Sequence, residues 1–171
     1  MEAVSRWFAL QVQPNYEKVT SQLLRHKGYE EFVPVYRESR QRSDRVKRID
    51  VPLFPGYVFC RCSWHAGFRT VDTPGIVTTP GVVRIVGFGK QPVPIDDEEM
   101  ENVKCLVQSG LRSQPCSYFE AGQKVRLTAG PLRGLEGTIT NVKGETQLAV
   151  SVTLLQRSIA VALDPGWVEK V

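Results

Sequence analysis

Two groups of side chains in this sequence have the types and spacing to do chemistry, and in both the chemistry is binding. The first runs from Arg37 to Asp50, where six cations (Arg37, Arg40, Arg42, Arg45, Lys47, Arg48) stand against Glu38, Asp44 and Asp50. Arginine predominates, and its planar guanidinium fork suits phosphates and guanine edges. Apolar residues are nearly absent until Val46 and Ile49, so the segment cannot fill a core. It reads as a protruding hairpin or ordered loop, or more simply as a solvated arm with no ligand. The second group is Leu53-Phe54-Pro55-Gly56-Tyr57-Val58-Phe59. Pro55-Gly56 reads as a turn or strand entry, since proline fixes φ and glycine reaches angles other residues avoid. Beyond it Tyr57, Phe59 and Arg61 point one way along a strand, and Val58, Cys60 and Cys62 the other. The small apolar set suits an interior. The aromatic set would make a docking patch for a partner helix, and a strand buried on both faces fits the alternation as well.

No catalytic residues emerge. Asp96-Asp97 is better used as a helix cap, and neither His26 nor His65 has a nearby serine or cysteine with a matching role. Gly130, Gly134 and Gly137 follow a strand and open no helix, which argues against a phosphate cradle. Cys60, Cys62, Cys105 and Cys116 contain no Cys-x-x-Cys pair, so reduced, mostly buried thiols are expected and no metal or other cofactor. The 171 residues are 42% hydrophobic and 23% charged, with a net charge of +4. That is an ordinary globular composition, mild enough in charge to permit a nucleic-acid partner without demanding one. Met1 to Arg6 is polar and Trp7 to Val12 is too short for a signal core, and no run of about 18 apolar residues exists. A cytoplasmic protein with no membrane partner is expected.

The surrounding pattern predicts the elements that position these groups. Trp7 to Gln13 reads as a strand, followed by a helix capped at Asn15 and closed by Gly28. Strands follow at 31–36, from Tyr57 and at 82–86, with a short helix at 65–72. Asp96 caps a helix whose Met100, Val103, Leu106 and Val107 form a core stripe up to Gly110. These intermixed elements, with connections too short for several crossovers, predict an α+β sandwich. Residues 110–118 carry no period and read as a linker. Beyond them lie five short β-branched runs, at 124–128, 137–142, 148–153, 159–163 and 167–171, which suggest a small five-stranded barrel.

Trp7-Phe8-Ala9-Leu10, the run from Pro52 to Phe59, and Thr73-Pro74-Gly75-Ile76 resemble the N-terminal domain of NusG-type transcription factors. Val125 to Gly137 is similar to the KOW motif that follows that domain. The resemblance implies an N-terminal α/β sandwich over 1–109, a linker at 110–118 and an SH3-like KOW barrel over 119–171. It implies an elongation and antitermination factor that binds the clamp helices of RNA polymerase, spans the cleft near upstream DNA and suppresses pausing. Polymerase contact, carried over, falls on Phe54, Tyr57 and Phe59 with Trp7. In relatives of the RfaH kind a basic hairpin touches non-template DNA, and here Arg37, Arg40, Arg42, Arg45, Lys47 and Arg48 hold that place. The KOW domain of the family recruits Rho or a small-subunit ribosomal protein, which by position points to Leu132, Leu135, Leu154 and Leu155. Leu132 stands where housekeeping members usually have phenylalanine, and Val152 to Val161 is closer to specialised paralogues, so an operon-specific monomer is favoured over the housekeeping protein. A ribosome-associated RNA-binding protein is the alternative of another class, but only Arg61 lies near the aromatics for stacking on RNA. Gly130, Pro131, Gly134, Gly137 and the β-branched residues after them favour the barrel over a helical hairpin, with Phe54 and Tyr57 left accessible.

Overall fold

A computed structural model describes residues 4–65, 70–71, 74–117, 122–142 and 145–171. It is mixed α+β, mostly strands with three helices. The chain packs as two units, Met1–Val33 with Phe54–Asp97, and Pro34–Leu53 with Glu98–Val171.

The first unit is built on a sheet of order β2-β5-β1-β7, with β6 on the side of β5. Its strands are β1 (Val4–Val12), β2 (Glu30–Phe32), β5 (Tyr57–His65), β6 (Thr70–Val71) and β7 (Val82–Ile85). β1 and β5 run antiparallel over eight paired positions, from Val4 opposite Trp64 to Gln11 opposite Tyr57. Helix α1 (Glu17–His26) contributes Leu24 to a core with Phe8, Leu10, Val58, Cys60 and Ile76. These alternate positions of β1 and β5 form one sheet face, as the spacing predicts. The α1 cap differs from expectation. Asn15 takes a left-handed φ of 66° and Tyr16 is the N-cap, because Asn tolerates that conformation and serves the turn that ends β1. The helix expected at 65–72 is also not what forms: Thr70–Val71 is a strand paired with Trp64 and His65. Residues 66–69 and 72–73, also part of that expectation, lie outside the described ones. The short helix sits further on, as α2 (Pro74–Val77), and Lys27 donates to the Gly75 carbonyl at 2.8 Å to close it.

The second unit holds a two-stranded hairpin, a helix and a β domain. The hairpin is β3 (Val35–Arg42) with β4 (Arg45–Pro52). The strand expected at 31–36 is therefore two strands, because Pro34 has no N–H to continue a ladder. A small ribbon, β8 (Gly87–Phe88) with β9 (Gln91–Pro92), precedes α3 (Asp97–Gln108) and belongs to the first unit. Helix α3 buries Met100, Val103 and Leu106 of the predicted stripe, and its fourth member, Val107, is half-buried. The β domain has strands β10 (Ser113–Ser117), β11 (Gln123–Leu127), β12 (Glu136–Val142), β13 (Glu145–Val152), β14 (Arg157–Ala162) and β15 (Val168–Lys170), in the order β10-β14-β13-β12-β11-β15. All five expected strands are present. The sixth, β10, lies in the stretch read as a linker. It pairs with β14 through its backbone, which needs no side-chain period, and an edge position accommodates Pro115.

Candidate functional site

Phe54 to Tyr57 form a turn in which the Tyr57 N–H donates to the Phe54 carbonyl at 3.1 Å. Pro55 supplies the fixed φ at the second position and Gly56, at φ 85°, the left-handed third, as a type II turn requires. Gly56 is held twice more. Its carbonyl accepts from the Val12 N–H at 2.8 Å, and its N–H donates to the Glu17 carboxylate at 2.9 Å. The first turn of α1 thus fixes the turn that opens β5, and Glu17 is buried for that purpose.

The turn folds Phe54 back onto Phe59, edge to face, with ring centroids 5.4 Å apart. Phe32 lies 6.4 Å from Phe59 on its other side. Phe54, Phe59 and Trp7 are 2%, 0% and 4% exposed, and Tyr57 is half-buried. This corrects the expectation of an accessible aromatic patch. β5 is a central strand between β2 and β1, so each of its faces can be covered, and it is buried on both at Val58, Phe59 and Cys60. Alternation in the sequence separates two faces but says nothing about which one is wet. Of the four aromatics assigned to the patch, only Tyr57 reaches solvent appreciably. Among the described residues the most exposed phenylalanine is Phe88, at 74%, beside the turn between β8 and β9. Sequence reasoning did not single it out, although the adjacent Gly89 marks a tight turn.

The basic segment is a regular hairpin. Its register places Arg42 opposite Arg45 and Arg40 opposite Lys47 on one face, and Ser39 opposite Arg48 and Arg37 opposite Asp50 on the other. Ser43 takes the left-handed φ, 39°, that a two-residue loop needs. Two pairs of like charges directly across a ladder repel each other, by roughly 0.2–1 kcal/mol per pair. Arg40 is offset by Glu38 at 3.1 Å and Arg37 by Asp50 at 3.7 Å. Among the described residues Arg42, Arg45, Lys47 and Arg48 have no ion pair. This exposed cationic face is electrostatically suited to a polyanion.

In the β domain Leu132, Leu135 and Leu155 are 2%, 7% and 7% exposed, and Leu154 is half-buried. Three of the four apolar residues assigned to partner contact are therefore core residues, because so small a domain must spend its leucines inside. The loop carrying Leu132 is tight: the Leu135 N–H donates to Leu132 and the Gly134 N–H to Leu127. A Cβ on Gly130 would stand 2.8 Å from the Trp167 ring, so that glycine is fixed by packing as well as by its φ of 81°.

All four cysteines are free, with Cys60 and Cys62 buried. A hydrogen bond with Cys62 and then burial push the Cys60 thiol far above its usual range, and burial raises Cys116. Cys60 is thus a protonated, packing thiol, while Cys105 is exposed. No helix among the described residues is long and apolar enough to cross a membrane.

The family model described as transcription termination factor nusG matches residues 5–104, well over half the chain. The chain belongs to the NusG family. The transcription termination/antitermination protein NusG of Vibrio cholerae is 30% identical, over 97% of this chain and 96% of its own. That of Pseudomonas aeruginosa is 29% identical, over 97% and 98%. The solved structure described as "Domain interaction in Thermotoga maritima NusG" aligns over 98% of both chains with a TM-score of 0.59 and 21% identity, which supports the shared fold. These NusG relatives are named as transcription termination/antitermination proteins.

Proposed function

We propose that this NusG-family chain is a transcription termination/antitermination factor that rides on RNA polymerase at the clamp helices, holds the β3–β4 hairpin against non-template DNA and suppresses pausing. The observation that carries the reading is the match over nearly the full length of NusG proteins. The hairpin supports the DNA contact, since its face of Arg40, Arg42, Arg45 and Lys47 is cationic, and the last three carry no ion pair among the described residues. Polymerase contact centres on Tyr57, the solvent-reaching member of the aromatic set, with Phe54 and Phe59 holding it from behind. The β domain recruits the further partner.

The hairpin and Leu132 favour a specialised, operon-specific factor. The general role, with Rho and the ribosome, is the second reading, and the NusG names of its relatives favour it. A reconstituted elongation complex tests both. Tyr57→Ala is expected to keep the fold and cost at least about 2 kcal/mol of polymerase affinity, the scale of a central contact. Unchanged binding by a folded variant would remove Tyr57 from the interface. Shortened pauses on every template would point to the general role, and shortening confined to one operon's template to the specialised one.

A further inference from the structure

Two open clefts of about 610 and 630 Å³ share Tyr36, Arg37, Arg112 and Ser113 in their walls. The second is walled by four consecutive residues of β3, Tyr36 to Ser39, and by four consecutive residues opposite, Arg112 to Pro115. Successive side chains of a strand point to opposite faces, so a wall made of four consecutive residues is the strand's edge. Both edges are unpaired among the described residues: there β3 pairs only with β4, and β10 closes one end of its sheet. The polarity of these edges follows from two hydrogen bonds. The Leu53 N–H donates to Pro34 at 2.8 Å and the Ala162 N–H to Arg112 at 3.2 Å. In an antiparallel ladder, residues that bond across alternate with residues turned away. Counting along the registers, Arg37 and Ser39 on β3 and Ser113 on β10 turn both N–H and C=O away from their partners. Pro115 offers only a carbonyl. Proteins usually blunt such edges with charge or cover, yet β10 itself carries no charged residue.

We propose that this cleft receives an extended, acidic segment of a partner protein, added as a strand between β3 and β10. Strand addition draws affinity from main-chain hydrogen bonds and selectivity from the side chains around them. Arg112 makes no ion pair among the described residues, and the Arg37 contact with Asp50 is long and mostly in solvent. Both cations therefore remain available to carboxylates on the incoming strand. Val35, Val107 and Leu111 line the first cleft and suit an apolar residue between those carboxylates. A nucleic-acid strand fits less well. It has no alternating donors and acceptors to match a strand edge.

The test titrates the full chain with an alternating Glu-Val octapeptide, the matching Lys-Val peptide and oligothymidine of equal length. The Glu-Val peptide is expected to bind about tenfold tighter than the Lys-Val one. Ser39→Pro and Ser113→Pro each delete one outward N–H and are expected to weaken it about tenfold, the worth of one hydrogen bond. Arg112→Glu is expected to weaken it similarly. Amide exchange at Arg37, Ser39 and Ser113 in the wild-type chain slows when peptide is bound, a readout that does not depend on the proline variants folding. Equal affinity for both peptides, unchanged exchange at those amides, no peptide binding, or displacement of the peptide by oligothymidine would each overturn the proposal.

Discussion

Phe59 and Tyr57 are two positions apart on one strand and do different work. Phe59 is fully buried between Phe32 and Phe54, so Phe59→Ala removes a packed ring and is expected to cost about 3–5 kcal/mol of stability, measured by urea unfolding. A loss below 1 kcal/mol would mean the ring is not packed as described. Their neighbour Cys60 gives a pH prediction whose sign follows from its raised pKa. The folded thiol keeps its proton where the unfolded one, near the ordinary value of 9.0, releases it. The unfolded state then binds fewer protons, so stability is complete below about pH 8 and falls as pH rises past 9. One thiol contributes a slope of about 1.4 kcal/mol per pH unit in that window. Denaturant midpoints of wild type and Cys60→Ala, compared from pH 8 to pH 10.5, should converge as pH rises. Parallel curves would mean that Cys60 ionises as readily folded as unfolded.

The hairpin is the element whose composition and function are easiest to separate. Its cross-strand cations raise its energy in isolation and lower it against a polyanion. Replacing Arg42, Arg45 or Lys47 singly with alanine is expected to reduce the salt slope of binding to exposed single-stranded DNA by about 0.7 per lost phosphate contact. A slope that survives all three replacements together would leave the hairpin as a solvated arm. This element was legible in the sequence because a segment with so many charges and almost no apolar residue must lie at a surface. The Phe54–Tyr57 turn was legible for a similar reason, since proline and glycine constrain backbone angles directly. The aromatic patch was not. Whether Phe54 and Phe59 face water depends on what covers a central strand, which local spacing does not encode. The same holds for Leu132, Leu135 and Leu155, apolar loop residues that pack inward in a domain with little else to fill it.

At the scale of the molecule, strand β10 is where sequence and packing diverge most. Residues 110–118 have a linker's composition, yet Ser113 to Ser117 run antiparallel to β14 over five positions, from Ser113 opposite Val161 to Ser117 opposite Arg157. β14 contributes Ile159, Ala160 and Val161 to the domain core, and without β10 its outer edge would be an exposed apolar strand. Where the β domain begins therefore has a physical consequence. A fragment covering 111–171 is expected to unfold at higher urea than one covering 122–171. Several edge hydrogen bonds at about 0.5–1.5 kcal/mol each make the difference on the order of 2 kcal/mol. The shorter fragment is also expected to self-associate through the uncovered β14 edge, visible as a concentration-dependent sedimentation coefficient. Equal midpoints and a monomeric short fragment would make β10 an incidental contact. If β10 is required, Ser113 to Ser117, with a linker's composition, are part of the β domain of this NusG-family chain.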